Sequence, residues 1–536
     1  MSDEITTGFG NDNSIDVIYD ITGGRTVPDL INVNGINFND PALYNAHFIL
    51  LQNNEIEDEV FETKIDLDYE IDQGYLKTIQ TGLAYSERTK SDRFSNNRAR
   101  PGSTGNVCAF CGRRQVIPDG ILSPFPFDDY LSQESGDFVR EFAVLSDVDG
   151  YLSFLEAQSP GFSAISLDEG ASPETTEEVL SAYVRADFEG EVSGVPWGGN
   201  IGLRLTDTQQ TSVGSTVELL NVTLLDPLDP TSTGIISTVS EPFQGQASND
   251  YTELLPSANI QFEPYDGMVV RGAVAKVITR PTLSSLALNQ SFTGSNLDAF
   301  FSSGGNPLLE PFEAWQYDGA LEFYRPNGDA FSVSIFYKDI STFVSEEVAL
   351  IDESARFGID GLIRSDTRQR NRDGGTIIGF ELAALHNFDY LPEPFDGFGV
   401  QANYTFADSE DDNANVGLSD LVAAIAPASG LEGFAKHSYN LIAFYEKDKF
   451  SGRLAYNWRG DFLDQRVGLA EIAEQVESFG QLDASASYDV TDRISLVFEG
   501  INLTDENTLR FADDESRILL NAYTGQRFYV GARFKY

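Results

Sequence analysis

The stretch Gln526-Arg-Phe-Tyr-Val-Gly-Ala-Arg-Phe-Lys-Tyr536 closes the chain with two distinct faces. Phe528, Val530, Ala532, Phe534 and Tyr536 recur at period two, and Tyr529, Gly531, Arg533 and Lys535 fill the positions between. Successive side chains of a strand point to opposite sides, so this segment reads as a strand with one apolar and one polar face. Two settings fit. One is the closing strand of an outer-membrane β-barrel, with lipid on one side and a wet lumen on the other. The other is the last strand of a soluble sheet. The segment alone leaves both open.

Reading back from it, alternating segments predict strands over 526–536, 492–504, 477–490, 449–460, 435–447, 396–407, 372–387, 329–344, 311–325, 267–279, 249–263, 197–212, 177–190, 76–88, 59–72 and 14–22. Helix-period stretches are few and fall inside connectors, as at 138–157. Short connectors, such as Asp489-Val-Thr-Asp492, Glu446-Lys-Asp-Lys449, Arg325-Pro-Asn-Gly-Asp329, Glu263-Pro-Tyr-Asp-Gly267 and Ile71-Asp-Gln-Gly74, carry residues that tight turns favour. They alternate with long ones at 505–525, 461–476, 408–434, 345–371, 280–310, 213–248, 89–176 and 23–58. A soluble sandwich has no reason to keep that parity. A transmembrane barrel does, because its periplasmic turns are short and its extracellular loops long. The expectation is therefore an all-β, antiparallel transmembrane barrel of about 16 strands, spanning residues 1–536.

Composition agrees. The chain has 536 residues with 38 Phe, 22 Tyr and 47 Gly, and only 41% are apolar. No apolar run approaches the ~20 residues of a spanning helix; the longest, Leu421-Val-Ala-Ala-Ile-Ala-Pro-Ala428, is short and holds a proline. The net charge of -49 argues against a nucleic-acid partner, whose phosphates need Lys and Arg. The start, Met1-Ser-Asp-Glu-Ile-Thr-Thr7, has no basic n-region and no apolar h-region, so no signal peptide is read there.

The faces agree from strand to strand. Phe331, Val333, Ile335 and Tyr337 form one lipid row; Ile494, Leu496 and Phe498 form another; Leu454, Tyr456 and Trp458 a third. Trp315 and Trp458 fall near the ends of such rows and Trp197 at a strand end, the places of an aromatic girdle. Sugar stacking is the alternative role for these tryptophans. Arg204, Arg271, Arg453 and Arg459 fall on the opposite, lumen-facing rows.

Several segments together resemble the barrel of TonB-dependent outer-membrane receptors. They are Leu255-Pro-Ser-Ala-Asn259, Val270-Arg-Gly-Ala273, Val277-Ile-Thr-Arg-Pro-Thr-Leu283, Gly305-Asn-Pro-Leu-Leu-Glu-Pro311 with Trp315-Gln-Tyr-Asp318, Phe336-Tyr-Lys-Asp-Ile340, Gly379-Phe-Glu381, Phe398-Gly-Val-Gln-Ala-Asn-Tyr-Thr405 and Ile501-Asn-Leu-Thr-Asp505. The resemblance runs from about residue 14 to the end. It implies location in the outer membrane of a Gram-negative bacterium, among lipid and lipopolysaccharide. It also implies uptake of a scarce extracellular solute such as an oligosaccharide, a ferric siderophore or cobalamin. The family barrel has 22 strands and a plugged lumen. No segment here resembles the plug or the Ton box, so the chain is expected to be a truncated barrel. A TonB complex would be a partner only if plug and Ton box come from elsewhere. Closure is expected between 14–22 and 526–536, unless a partner segment is missing. A passive porin-like channel and a non-transporting fragment remain the alternatives. Acidic loops favour an oligosaccharide slightly over an anionic ferric chelate.

Other constellations are sparse. Cys108 and Cys111, in the longest connector, are placed to form a loop disulfide in an oxidising compartment. Asp147, Asp149, Gly150 and Glu156 are spaced like the later part of a calcium loop, but Leu145 stands at its first ligand position. Calcium is the one cofactor considered, against an acidic turn; otherwise no metal or cofactor is expected. With three scattered histidines and no nucleophile motif, an enzyme is not expected.

Overall fold

A computed structural model of the chain describes residues 17–20, 29–32, 35–44, 46, 51–97, 116–128, 130, 136, 139–158, 160–161, 164–225, 233–297, 299–411, 430–465, 472–512 and 517–535. Two compact units emerge, one of residues 1–57 and 91–174, the other of 58–90 and 175–536.

Fifteen long strands form the main sheet. They are β1 (Gln52–Gln73), β2 (Leu76–Asn96), β3 (Glu174–Val192), β4 (Val195–Thr216), β5 (Phe243–Tyr265), β6 (Met268–Thr279), β7 (Phe312–Tyr324), β8 (Ala330–Asp352), β9 (Ile363–Asn387), β10 (Phe398–Asp411), β11 (His437–Lys447), β12 (Phe450–Arg459), β13 (Phe479–Thr491), β14 (Ile494–Ile501) and β15 (Arg527–Phe534). Three short strands, Ser166–Leu167, Ser291–Asn296 and Ala299–Ser303, join the same sheet, whose order closes with β15 beside β1. The described part of the expected strand at 14–22, residues 17–20, does not belong to it. Val17–Asp20 pairs with Asp29–Asn32 instead, so β15 meets Gln52–Gln73 rather than the chain's first strand.

Register follows from the period-two pattern, because a slip of one residue would turn every apolar side chain to the wrong face. Across β7 and β8, Phe323 faces Phe331, Leu321 faces Val333, Gly319 faces Ile335 and Tyr317 faces Tyr337. The row continues into β9 through Val333 opposite Leu382 and Ile335 opposite Phe380, and into β10 through Leu382 opposite Tyr404. At the far end Phe498 faces Val530 and Leu496 faces Ala532. Ile335 is 62% exposed and Val530 84%, so this face has no protein cover. From Phe331 to Tyr337 the row runs ~20 Å along the strand, which at a tilt of about 40° spans ~15 Å of an outer-membrane apolar band ~25 Å tall.

One expected loop is largely strand. β8 continues to Asp352 and β9 begins at Ile363, so the connector at 345–371 is a long hairpin arm capped by a four-residue helix, Ser354–Phe357. Asn502 organises the connector before β15. It sits at φ 56°, is fully buried, donates to Glu506 O and Thr524 Oγ1 and accepts from Glu506 N.

In the other unit, Leu122–Pro124 pairs with Ala143–Leu145, and a helix α1 (Val148–Gln158) follows. Ala46, Ile117, Ile121, Tyr151 and Leu155 form its small core.

Candidate functional site

Beyond the ends of the shorter strands, the connectors of the larger unit are packed rather than loose. Leu219, Val222, Ile235, Phe300, Ile359 and Leu362 are buried together, drawn from three separate connectors. An ionic knot lies nearby. Arg364 donates to Glu353 at 2.9 and 3.1 Å and also bonds Ser302. Asp366 accepts from Ser302 at 2.6 Å and from Arg368 at 2.6 and 2.7 Å and Arg370 at 2.9 Å. Burial alone would raise the Asp366 carboxyl, but the bonds from Arg368 and Ser302 and the charges of Arg368 and Arg364 win, and its pKa is lowered. Guanidinium is the group for this task, since its planar fork can serve one carboxylate at two oxygens.

Beside this knot is a cavity of about 510 Å³. Phe312, Phe343, Ser345, Glu346, Gln369 and Arg372 line it together with Asp411, Glu432, Asp464 and Gln465. Four strands and connectors therefore supply it. Phe312 and Phe343 stack at 6.4 Å, and the Arg372 guanidinium lies over the Phe343 ring while bonding Ser345 Oγ at 3.2 Å. Asp464 is ion-paired with Arg510 at 2.8 Å. Four carboxylates against one guanidinium make the lining acidic. Such a cavity is of ligand size, with apolar faces and a few polar groups for orientation.

The family profile described as "TonB dependent receptor-like, beta-barrel" matches residues 3–503. The chain belongs to this family. Solved structures share the fold: the siderophore receptor PiuA from Acinetobacter baumannii at 16% identity and TM-score 0.52, and the ferric-catecholate import receptor Fiu from E. coli K12 at 14% and 0.52. Each comparison covers 90% of this chain, and 56% and 55% of those chains, so the chain spans little more than half their length. No curated protein matches by sequence. The place of this TonB-dependent receptor-like barrel is the outer membrane of a Gram-negative bacterium. Membership of a receptor family, rather than any missing cluster, is what supports the expectation that it is not an enzyme.

The receptor barrel distributes the sequence-chosen residues widely. Arg204 and Arg271 lie on the polar face of the sheet: Arg204 is 5.3 Å from the Tyr183 ring, and Arg271 bonds Glu322 at 3.1 Å and Gln261. Arg453 lines a second concavity on that face with Gln401, Glu446 and Glu499. Arg459 is pinned between the rings of Phe462, at 4.6 Å, and Phe479. None of the four lines the acidic cavity. Trp197 is the third residue of β4, Trp315 the fourth of β7 and Trp458 the last but one of β12, where it stacks on Tyr439 at 5.0 Å.

The calcium reading is corrected. Asp147 accepts from Gly150 N at 2.8 Å at the start of α1, and Glu156 accepts from Gly161 N near its end. Nine residues of helix separate the two carboxylates by ~13 Å, too far to share an ion. Asp149 lies in the first helical turn. Among the described residues no group of three or more acidic, His or Cys side chains could hold a metal. Cys108 and Cys111 lie outside the described residues.

The sequence reading missed Phe343, Arg372 and the knot of Glu353, Arg364 and Asp366. The alternation Arg364, Asp366, Arg368, Arg370, Arg372 was a signal for a strand face, but a charged one, which reads as solvated loop.

Proposed function

We propose that this chain is the barrel of an outer-membrane uptake receptor and that its acidic, aromatic-edged cavity captures a neutral, polyhydroxylated solute, with an oligosaccharide as the preferred class. The cavity carries this reading. Stacked Phe312 and Phe343 offer flat apolar faces to a sugar ring. Glu346, Asp411, Glu432 and Gln369 offer oxygens to hydroxyl donors. A multiply charged ferric chelate would meet a lining in which carboxylates outnumber guanidinium groups even with Asp464 paired to Arg510, an unfavourable field at this range. The siderophore named for PiuA and the ferric catecholate named for Fiu therefore do not transfer readily to this cavity.

In this reading the apolar rows face lipid and lipopolysaccharide. Tyr317, Tyr337, Phe323 and Phe331, more than the three tryptophans, form the aromatic girdle around them. Arg204, Arg271 and Arg453 face the lumen and pair with its acids or aromatic rings. Energised passage inward draws on a TonB complex only where a plug and Ton box are supplied from elsewhere.

Calorimetric titration of the chain in detergent tests the substrate class. Neutral oligosaccharides should bind, and Phe343→Ala should weaken them about tenfold, near 1.4 kcal/mol. Tight binding of a ferric siderophore with no affinity for any glycan would refute the proposal.

A further inference from the structure

One face of β4 changes character abruptly. Arg204 is exposed on the polar face of the sheet, yet the next residues of its row, Thr206, Thr208, Gln210 and Ser212, are between 0 and 5% exposed. The alternate row is open: Leu203, Leu205 and Val213 are all exposed. A one-sided cover therefore begins above Arg204, and it lies on the concave, polar side. The cover is the first part of the connector between β6 and β7. Arg280 Nε donates to Thr208 Oγ1 at 3.2 Å, and Ser212 Oγ donates to Leu286 O at 2.6 Å. At Gly214 a Cβ would fall 2.0 Å from Leu288 O, so only glycine admits this approach.

The connector is anchored at both ends. Leu283, Leu286 and Leu309 are buried together against Val344 of β8. Asn249 Nδ2 of β5 donates to Leu309 O at 3.3 Å, and Asn306 Nδ2 donates to Gln369 O of β9 at 3.1 Å. Thr208, Ser212 and Asn249, whose side chains would otherwise face lumen water, instead bond to this segment.

We propose that residues 280–290, anchored by 306–309, form a constriction built into the barrel's own mouth, a fixed shelf that narrows the aqueous path along the inner wall of β4 and β5. This rests on the reading of the polar face as a lumen. A barrel of this strand number encloses a water channel, and a layer packed on a sheet takes up about 10 Å of it. The shelf needs nothing beyond this chain. It leaves Arg204 below it in open water and holds Thr208 beneath it.

Two measurements on the full chain in lipid test this. In a Cys108→Ser/Cys111→Ser background, Arg204→Cys should react with a bulky water-soluble maleimide at least about tenfold faster than Thr208→Cys, since labelling under the shelf must wait for local opening. Equal rates would overturn the proposal. Replacing 283–308 by a short Gly-Ser linker should raise single-channel conductance in a planar bilayer about twofold or more, because the lumen is widened at its narrowest point. A variant that keeps the folded barrel's shifted mobility on an unheated gel but conducts like the parent would also overturn it. Solute titration is scored separately, so a wrong substrate class leaves this result unaffected.

Discussion

The staves of the barrel and the connectors above them are stabilised in opposite ways. Along β7 and β8 the large apolar side chains point outward, with Ile335, Phe331 and Tyr337 all exposed. All three buried apolar clusters among the described residues lie in or beside connectors instead. The staves hold their register through backbone pairing and depend on an apolar solvent for their outer face. The connectors meet water and must bring their own cover, so they build miniature cores and an ionic knot. In an ordinary soluble protein the two would be reversed.

The sharpest way to break this contrast is Asp366→Ala. It takes the shared carboxylate from Arg368 and Arg370, while Arg364 keeps Glu353, in a region where Asp366 is only 2% exposed. Removing one partner of a buried ion pair costs about 3–5 kcal/mol. Hydrogen exchange should quicken in 291–303 and 354–362 while β12 to β14 stay protected; uniform acceleration would show that connectors and staves are one cooperative unit. Next is Ile335→Arg, which puts a cation in the middle of the outer row and should destabilise folding into lipid vesicles by about 2–4 kcal/mol. Ser334→Arg, one residue along and on the other face, should cost far less. Equal penalties would mean the outer row does not meet lipid.

A smaller effect is expected from Asn502→Ala. It removes both the acceptor for Glu506 N and the donor to Glu506 O in a fully buried turn, worth about 1–3 kcal/mol locally. Protection of 502–525 should fall with no change in β7 or β8. The smallest concerns the turn before β8. Asp329 accepts from Asn387 N, and then from His386 and Asn327, which holds its pKa down to about 2. A depressed carboxyl contributes stability that is complete above its unfolded value of ~4 and is lost as pH falls toward 2. Asp329→Asn should flatten the acid limb of the stability curve between those values, lowering stability at neutral pH and leaving it nearly unchanged near pH 2.

Much of the stave architecture was legible because one face of each stave is judged by one solvent. Phe331, Val333 and Ile335 announce their side without reference to any partner, and the same holds for Ile494, Leu496 and Phe498. The connector chemistry was not legible on that basis. Arg364 and Asp366 look like solvated loop residues until Ser302 and Glu353, distant in sequence, are brought beside them. The spacing of Asp147 and Glu156 fitted a calcium loop, but the intervening residues wind into α1 and carry the two carboxylates apart.

The sequence by itself determined the strand period, the alternation of short and long connectors, the polarity of each face and the family. These are local properties, set by side-chain alternation and by turn residues. Only the tertiary structure decided that β15 lies beside Gln52–Gln73, that the arm of β8 and β9 is tied by Asp366, that Phe343 and Arg372 share a cavity with Glu432, and that residues 280–290 cover Thr208 from inside. Each of those depends on contacts between segments far apart in the chain, whose closure no local pattern encodes.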